Sequence, residues 1–277
     1  MKLTFSSYLD DLKSLAANTG GTAFFDLDRT LIAGYSVAAL GWEGFKRATV
    51  PRWRMVLQLR VFFDYSLGLA HYLDLMRVTL NDLAGTHEPE FIRLGEQAFH
   101  NGLGGSIYDE GRELISAHKA LGHEVVLLTS ATRAQAAPFA RELDIGHLCC
   151  TELETLDGRI TGNFEPCYGE SKRDAAELFC AQRGLHVRDA WFYTDGIEDL
   201  PLLDRVGRPV VVNPKARLAK VAGERGWPHL EFVPPQDTER EAGARQEALT
   251  DLRGTAQRLF NGITEKGRAA LARRRSR

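Results

Sequence analysis

"TAFFDLDRTLIAG", residues 22–34, sets an unbroken apolar run directly before two carboxylates, Asp26 and Asp28. A short run without polar alternation reads as a strand buried on both faces, as in a parallel sheet. Three more runs of the same kind follow: "EVVLL" (124–128), "AWFY" (190–193) and "PVVV" (209–212). Helical patterns lie between them at 108–121, 133–143 and 171–183, with another after the last at 214–225; Pro138 is expected to weaken or kink the second. Strand alternating with helix predicts an α/β chain with a doubly wound parallel sheet. "LETLDGRITG" (153–162) reads as a hairpin turning at Asp157–Gly158.

The stretch from 36 to 105 is too long for one crossover, holds helical patterns and many aromatics, and closes on "HNGLGG". It is expected to form a helical cap inserted into a core made of 1–35 and 106–235. Within the cap, Trp42, Phe45, Trp53, Phe62, Phe63, Tyr65 and Tyr72 fit either a pocket lining or, more simply, the cap's own core. Leu9, Leu12, Leu15 and Ala16 predict a short amphipathic helix before the first strand. The most apolar long segment, 53–73, carries Arg54, Arg60, Asp64 and His71, charges too costly for a bilayer core. No transmembrane span is expected. Residues 236–277 form a tail whose last twelve positions hold six basic residues and no acidic one. A solvated tail is the plain reading, and peripheral contact with an anionic membrane surface the other.

With 277 residues the chain can bury a sizeable core, and its formal charge of −2 gives no reason to expect nucleic acid as a partner. Cys149, Cys150, Cys167 and Cys180 show no paired metal spacing and read as reduced thiols of a cytoplasmic protein. The eight histidines show no metal spacing either.

Ligands of a wound sheet bind beyond the carboxyl ends of its strands. Inspecting those ends yields Asp26 and Asp28 after the first run, Thr129 and Ser130 after the second, and Thr194, Asp195 and Asp199 after the third. Acids gathered from separate strands repel one another and need a cation. Mg²⁺ suits them, since it accepts a few carboxylates while keeping waters and phosphate oxygens. A phosphate would also need Lys172 as a point charge, the Thr129 hydroxyl, and the amides of Ser130 and Ala131, expected to open the next helix. Singly these features are ordinary; their order along the chain is not.

In that order the sequence resembles the haloacid dehalogenase superfamily of phosphohydrolases. "DLDRTL" matches its first motif, Thr129 the second, Lys172 the third and "YTDGIEDLPLL" (193–203) the fourth. "CYGESKRDAAELF" and "DLPLLDRVGRPVVVNPKARL" look like its phosphoserine-phosphatase-like branch, subfamily IB. The resemblance implies a Rossmann-like core with a helical C1-type cap and a Mg²⁺-dependent phosphomonoester hydrolase. It implies Asp26 as nucleophile, forming an aspartyl-phosphate, and Asp28 as general acid and base. Asp26, Asp195 and the main-chain carbonyl of Asp28 would hold the metal, with Asp199 supporting them. Thr129, Ser130, Ala131, Lys172 and Arg133 would bind the small phosphorylated substrate.

Two departures bear on that substrate. Arg29 stands where phosphoserine phosphatases have serine, and Gly34 and Tyr35 lie near their expected glutamates; the second motif reads "TSATR" rather than Ser-Gly-Gly. Phosphoserine is therefore not expected. The competing readings are a phospholipid-directed phosphatase, acting on lysophosphatidate or phosphatidylglycerophosphate at a membrane, and a non-catalytic phosphate-ligand sensor. A phosphomutase shares the motifs, and the oligomeric state is not legible.

Overall fold

The computed structural model describes residues 3–16, 20–46, 76–77, 80–81 and 83–235. Its sheet contains β1 (Thr22–Phe25), β2 (Glu124–Thr132), β3 (His147–Leu156), β4 (Arg159–Glu165), β5 (Trp191–Thr194), β6 (Arg208–Val212) and β7 (His229–Leu230), in the order β4-β3-β2-β1-β5-β6-β7. Every pairing is parallel except that of β3 with β4. The helices whose full spans are described are α1 (Phe5–Lys13), α2 (Ser36–Lys46), α3 (Glu88–His100), α4 (Asp109–Ala120), α5 (Arg133–Glu142), α6 (Glu170–Gln182), α7 (Leu200–Leu203) and α8 (Ala216–Arg225). The doubly wound α/β architecture expected from the alternating runs is present.

β1 lies in the middle because both of its faces are apolar. Phe25 and Ala23 pack with Leu9, Leu127 and Tyr193 on one side, while Phe24 packs with Phe179, Val126 and Phe192 on the other. Burying each phenylalanine side chain contributes about 2 kcal/mol. From β1 the chain winds outward through β2, β3 and β4, then returns and winds the other way through β5, β6 and β7. The order therefore reverses at β1, and a crevice opens beyond its carboxyl end.

β2 runs to Thr132, four residues beyond the apolar run, with its register against β3 shifting between Leu128 and Thr132. Ser130 and Ala131 are thus strand residues; α5 opens only at Arg133, which corrects the expectation that their amides begin the helix. Thr132 makes the cap, donating through its amide and hydroxyl to Gln135 Oε1 at 2.9 and 2.7 Å. Pro138 sits inside α5 without ending it. The 157–158 turn is as expected: Leu156 pairs with Arg159, and Asp157 and Gly158 have φ of 51° and 72°, the left-handed pair a two-residue hairpin needs.

Of the expected cap, α2 and α3 are described; Trp53, Phe62, Phe63, Tyr65, Tyr72, Arg54 and Arg60 lie outside the described residues, as does the tail 236–277. No helix among the described residues is long and apolar enough to cross a membrane. All four cysteines are free thiols.

Candidate active site

The ladder between β1 and β5 continues one residue past Phe25, where the Asp26 amide donates to the Tyr193 carbonyl at 3.0 Å. Asp26 thereby sits at the switch point, 7% exposed. Lys172, from the first turn of α6, is 2% exposed and donates to Asp26 Oδ1 and Asp199 Oδ2, both at 2.8 Å. Thr194 donates to the same Asp199 oxygen at 2.6 Å. Burial works against the Lys172 charge, yet the two carboxylates hold its pKa above the ordinary lysine value. Burial also raises the Asp26 pKa well above the carboxylate range; Lys172 opposes the rise, while Asp199 and Asp195 add to it.

Asp28 follows two residues on and is held by the start of α2. The Ser36 amide donates to Oδ1 at 2.7 Å and its hydroxyl to Oδ2 at 3.1 Å. Gln135 in turn donates to Ser36 Oγ at 3.0 Å, so the opening turns of α2 and α5 are linked behind the carboxylate. Burial lifts the Asp28 pKa to about 6, against the pull of the two Ser36 bonds. A carboxyl poised there can give and take a proton near neutrality. Asp195, after β5, is also lifted by burial to about 6, against its ion pair with Arg29 Nε at 2.7 Å.

These groups share one cavity of about 70 Å³. Its walls include Asp26, Asp28, Lys172, Asp195 and Asp199, together with Ser130, Ala131, Gln135, Tyr35, Glu198 and Lys215. Thr129 is buried behind the wall and spends its Oγ1 lone pair on the Ala131 amide at 3.1 Å, so that amide is not the open phosphate donor expected of it. Arg133 does not reach the cavity: it pairs with Glu152 on the surface. Five carboxyl side chains stand at the site with three cationic side chains, Lys172, Lys215 and Arg29. A surplus of carboxyl oxygens over cations fits a divalent, oxygen-preferring ion. Among the described residues, no three His, Cys, Asp or Glu side chains cluster tightly enough to hold a metal by themselves. A set of two carboxylates and a main-chain carbonyl, with remaining positions left to water and phosphate, does not require three.

Ser36, Gln135, Glu198 and Lys215 escaped the sequence reading. Lys215 had a signal, since it follows β6 at the same sheet edge that yields Asp26 and Asp195. Ser36 and Gln135 had none, because their roles depend on two helix starts meeting.

A family model, haloacid dehalogenase-like hydrolase, matches residues 23–204. A probable phosphatase of Mycobacterium tuberculosis (strain ATCC 25618 / H37Rv) is 34% identical over 217 residues, covering 77% of this chain and 76% of that one. A phosphoserine phosphatase of the same strain is 32% identical over 223 residues, covering 76% and 70%. Histidinol-phosphatase of Neisseria meningitidis serogroup C (strain 8013) is 32% identical over 217 residues, covering 76% and 98%. Among solved structures, a Bordetella pertussis Tohama I protein of unknown function superposes with a TM-score of 0.67 at 29% identity, covering 76% of this chain and 99% of that one.

Proposed function

The chain belongs to the haloacid dehalogenase-like hydrolases and is a phosphoric monoester hydrolase of the phosphoserine-phosphatase-like branch, and from that premise we propose that Asp26 is its nucleophile, Asp28 its acid and base, and Mg²⁺ its metal. One observation carries the reading: a buried ammonium bridges Asp26 and Asp199 at 2.8 Å each, with Asp28 opening onto the same cavity.

In the first step an Asp26 carboxylate oxygen attacks phosphorus and the ester P–O bond breaks. Asp28, protonated, passes its proton to the departing oxygen. Water then attacks the aspartyl-phosphate, Asp28 takes the water's proton, the bond from phosphorus to Asp26 breaks, and inorganic phosphate leaves. Lys172 steadies Asp26 and supplies positive charge where the phosphoryl oxygens gather. Asp26, Asp195 and the Asp28 carbonyl are the groups that would hold Mg²⁺. When bound, that ion neutralises charge on the transferring phosphoryl group.

The substrate is proposed to be a small phosphorylated metabolite. Relatives of equal identity carry phosphoserine and histidinol phosphate in their names, so likeness does not choose between them. Positions 34 and 35 offer no carboxylate to a substrate ammonium, which argues against phosphoserine, although Glu198 brings one to the wall from another loop. Phosphate release from a panel of phosphoserine, histidinol phosphate, sugar phosphates and lysophosphatidate tests the reading. Mg²⁺-dependent turnover, removed by EDTA and by Asp26→Asn, is expected. Undiminished turnover in Asp26→Asn would remove Asp26 from the nucleophile's role.

A further inference from the structure

Arg29 occupies a backbone position that suits glycine. Its φ is +62°, and the loop holds it there: its amide donates to the Gly34 carbonyl at 3.1 Å, and the Leu27 carbonyl accepts from Thr30, Leu31 and Ile32. A long side chain kept in the left-handed region beside a reaction centre points to a use for that side chain. Its bonds show where it acts. Nε donates to Asp195 Oδ2 at 2.7 Å, Nη2 donates to the Asn213 carbonyl at 3.3 Å, and the guanidinium lies 5.9 Å from the Tyr35 ring centre. Arg29 therefore ties together the chain just after β1, β5 and β6. Lys172 compensates Asp26 and Asp199 as a fully buried cation; Arg29 compensates Asp195 through a side chain that is 34% exposed.

We propose that Arg29 is the resident counter-ion of Asp195, holding that carboxylate through Oδ2 and lowering its affinity for Mg²⁺. The proposal rests on the metal reading above. Without metal, the guanidinium keeps Asp195 from repelling Glu198 and Asp28 across the cavity. With metal, its charge opposes a second positive charge on the same carboxylate, whose side chain is only 8% exposed and is therefore screened less than a surface group. Arg29 is a positioning residue, acting on the metal through Asp195 rather than on the substrate.

The test is calorimetric titration of the whole chain with MgCl₂, comparing wild type with Arg29→Gln, Arg29→Lys and Arg29→Gly. Arg29→Gln is expected to bind Mg²⁺ about tenfold more tightly than wild type, and Arg29→Lys to stay near wild type because it keeps the charge. Arg29→Gly removes the charge at a φ that glycine favours, so it should fold and show the same tightening even if Arg29→Gln does not fold. Thermal melts in EDTA should show Arg29→Gln below wild type, with the gap closing in saturating Mg²⁺. Equal or weaker Mg²⁺ binding by both uncharged variants overturns the proposal while leaving the metal reading intact. No Mg²⁺ binding by wild type overturns the metal reading, and the proposal with it.

Discussion

His118 lies within a buried chain of hydrogen bonds: Nδ1 to His123 Nδ1 at 2.8 Å, Nε2 to the Tyr193 hydroxyl at 2.8 Å, and that hydroxyl to Tyr8 at 2.9 Å. Burial, with His123 adding to it, lowers the His118 pKa to about 3. A histidine whose folded pKa lies below its unfolded value of about 6.5 contributes stability that is complete above 6.5 and lost as pH falls toward 3. Asp28 and Asp195 are shifted upward and push stability the opposite way, so the informative quantity is a difference. The stability gap between wild type and His118→Asn is expected to shrink by about 1.4 kcal/mol per pH unit between 6.5 and 4.5, read by urea denaturation. A gap that stays constant with pH would mean that His118 titrates normally in the folded protein.

At the scale of elements, the contact between α3 and α5 turns on a missing hydrogen bond. Pro138 has no N–H, so the Ala134 carbonyl one turn earlier in α5 has no donor from within its helix. Gly95 of α3 packs on that carbonyl: a Cβ there would lie 1.8 Å from the oxygen. The proline and the glycine thus make one joint, and it seats α3 against the helix whose first turn carries Gln135 toward Ser36. Gly95→Ala cannot be absorbed by rotating a side chain, since the obstruction is backbone. It is expected to cost about 2 kcal/mol or more, measured by chemical denaturation. A loss below about 0.5 kcal/mol, the range of ordinary surface changes, would mean that α3 does not approach so closely.

For the whole molecule, the acidic cluster exists only when β1 and β5 are paired and α6 is docked beneath them. Asp26 and Asp195 are far apart in an unfolded chain, so a metal held by both binds the folded state alone. Mg²⁺ at a hundred times its dissociation constant should then add about 2.7 kcal/mol to unfolding stability, and EDTA should remove it. Asp195→Asn should abolish most of the gain. A melting temperature indifferent to Mg²⁺ in wild type would exclude a metal held between these strands.

The sequence by itself determined the parts that depend on local pattern. Four apolar runs gave four strands, the first with its bounds matched and the others within four residues of theirs, because burial on both faces leaves no room for polar alternation. Asp26, Asp28, Asp195 and Asp199 were legible because they follow such runs, and Lys172 because it opens a helix packed beneath the same edge. Tertiary structure decided the rest, since the relevant contacts join residues remote along the chain. Arg29 meets Asp195 across 166 positions and Gln135 meets Ser36 across 99. Arg133, two residues beyond a cavity wall, turns instead to Glu152 on the neighbouring strand, because β2 runs on to Thr132 alongside β3 before α5 opens. Which carboxylate is compensated by which cation is a matter of distances in space, and a linear order of residues does not contain them.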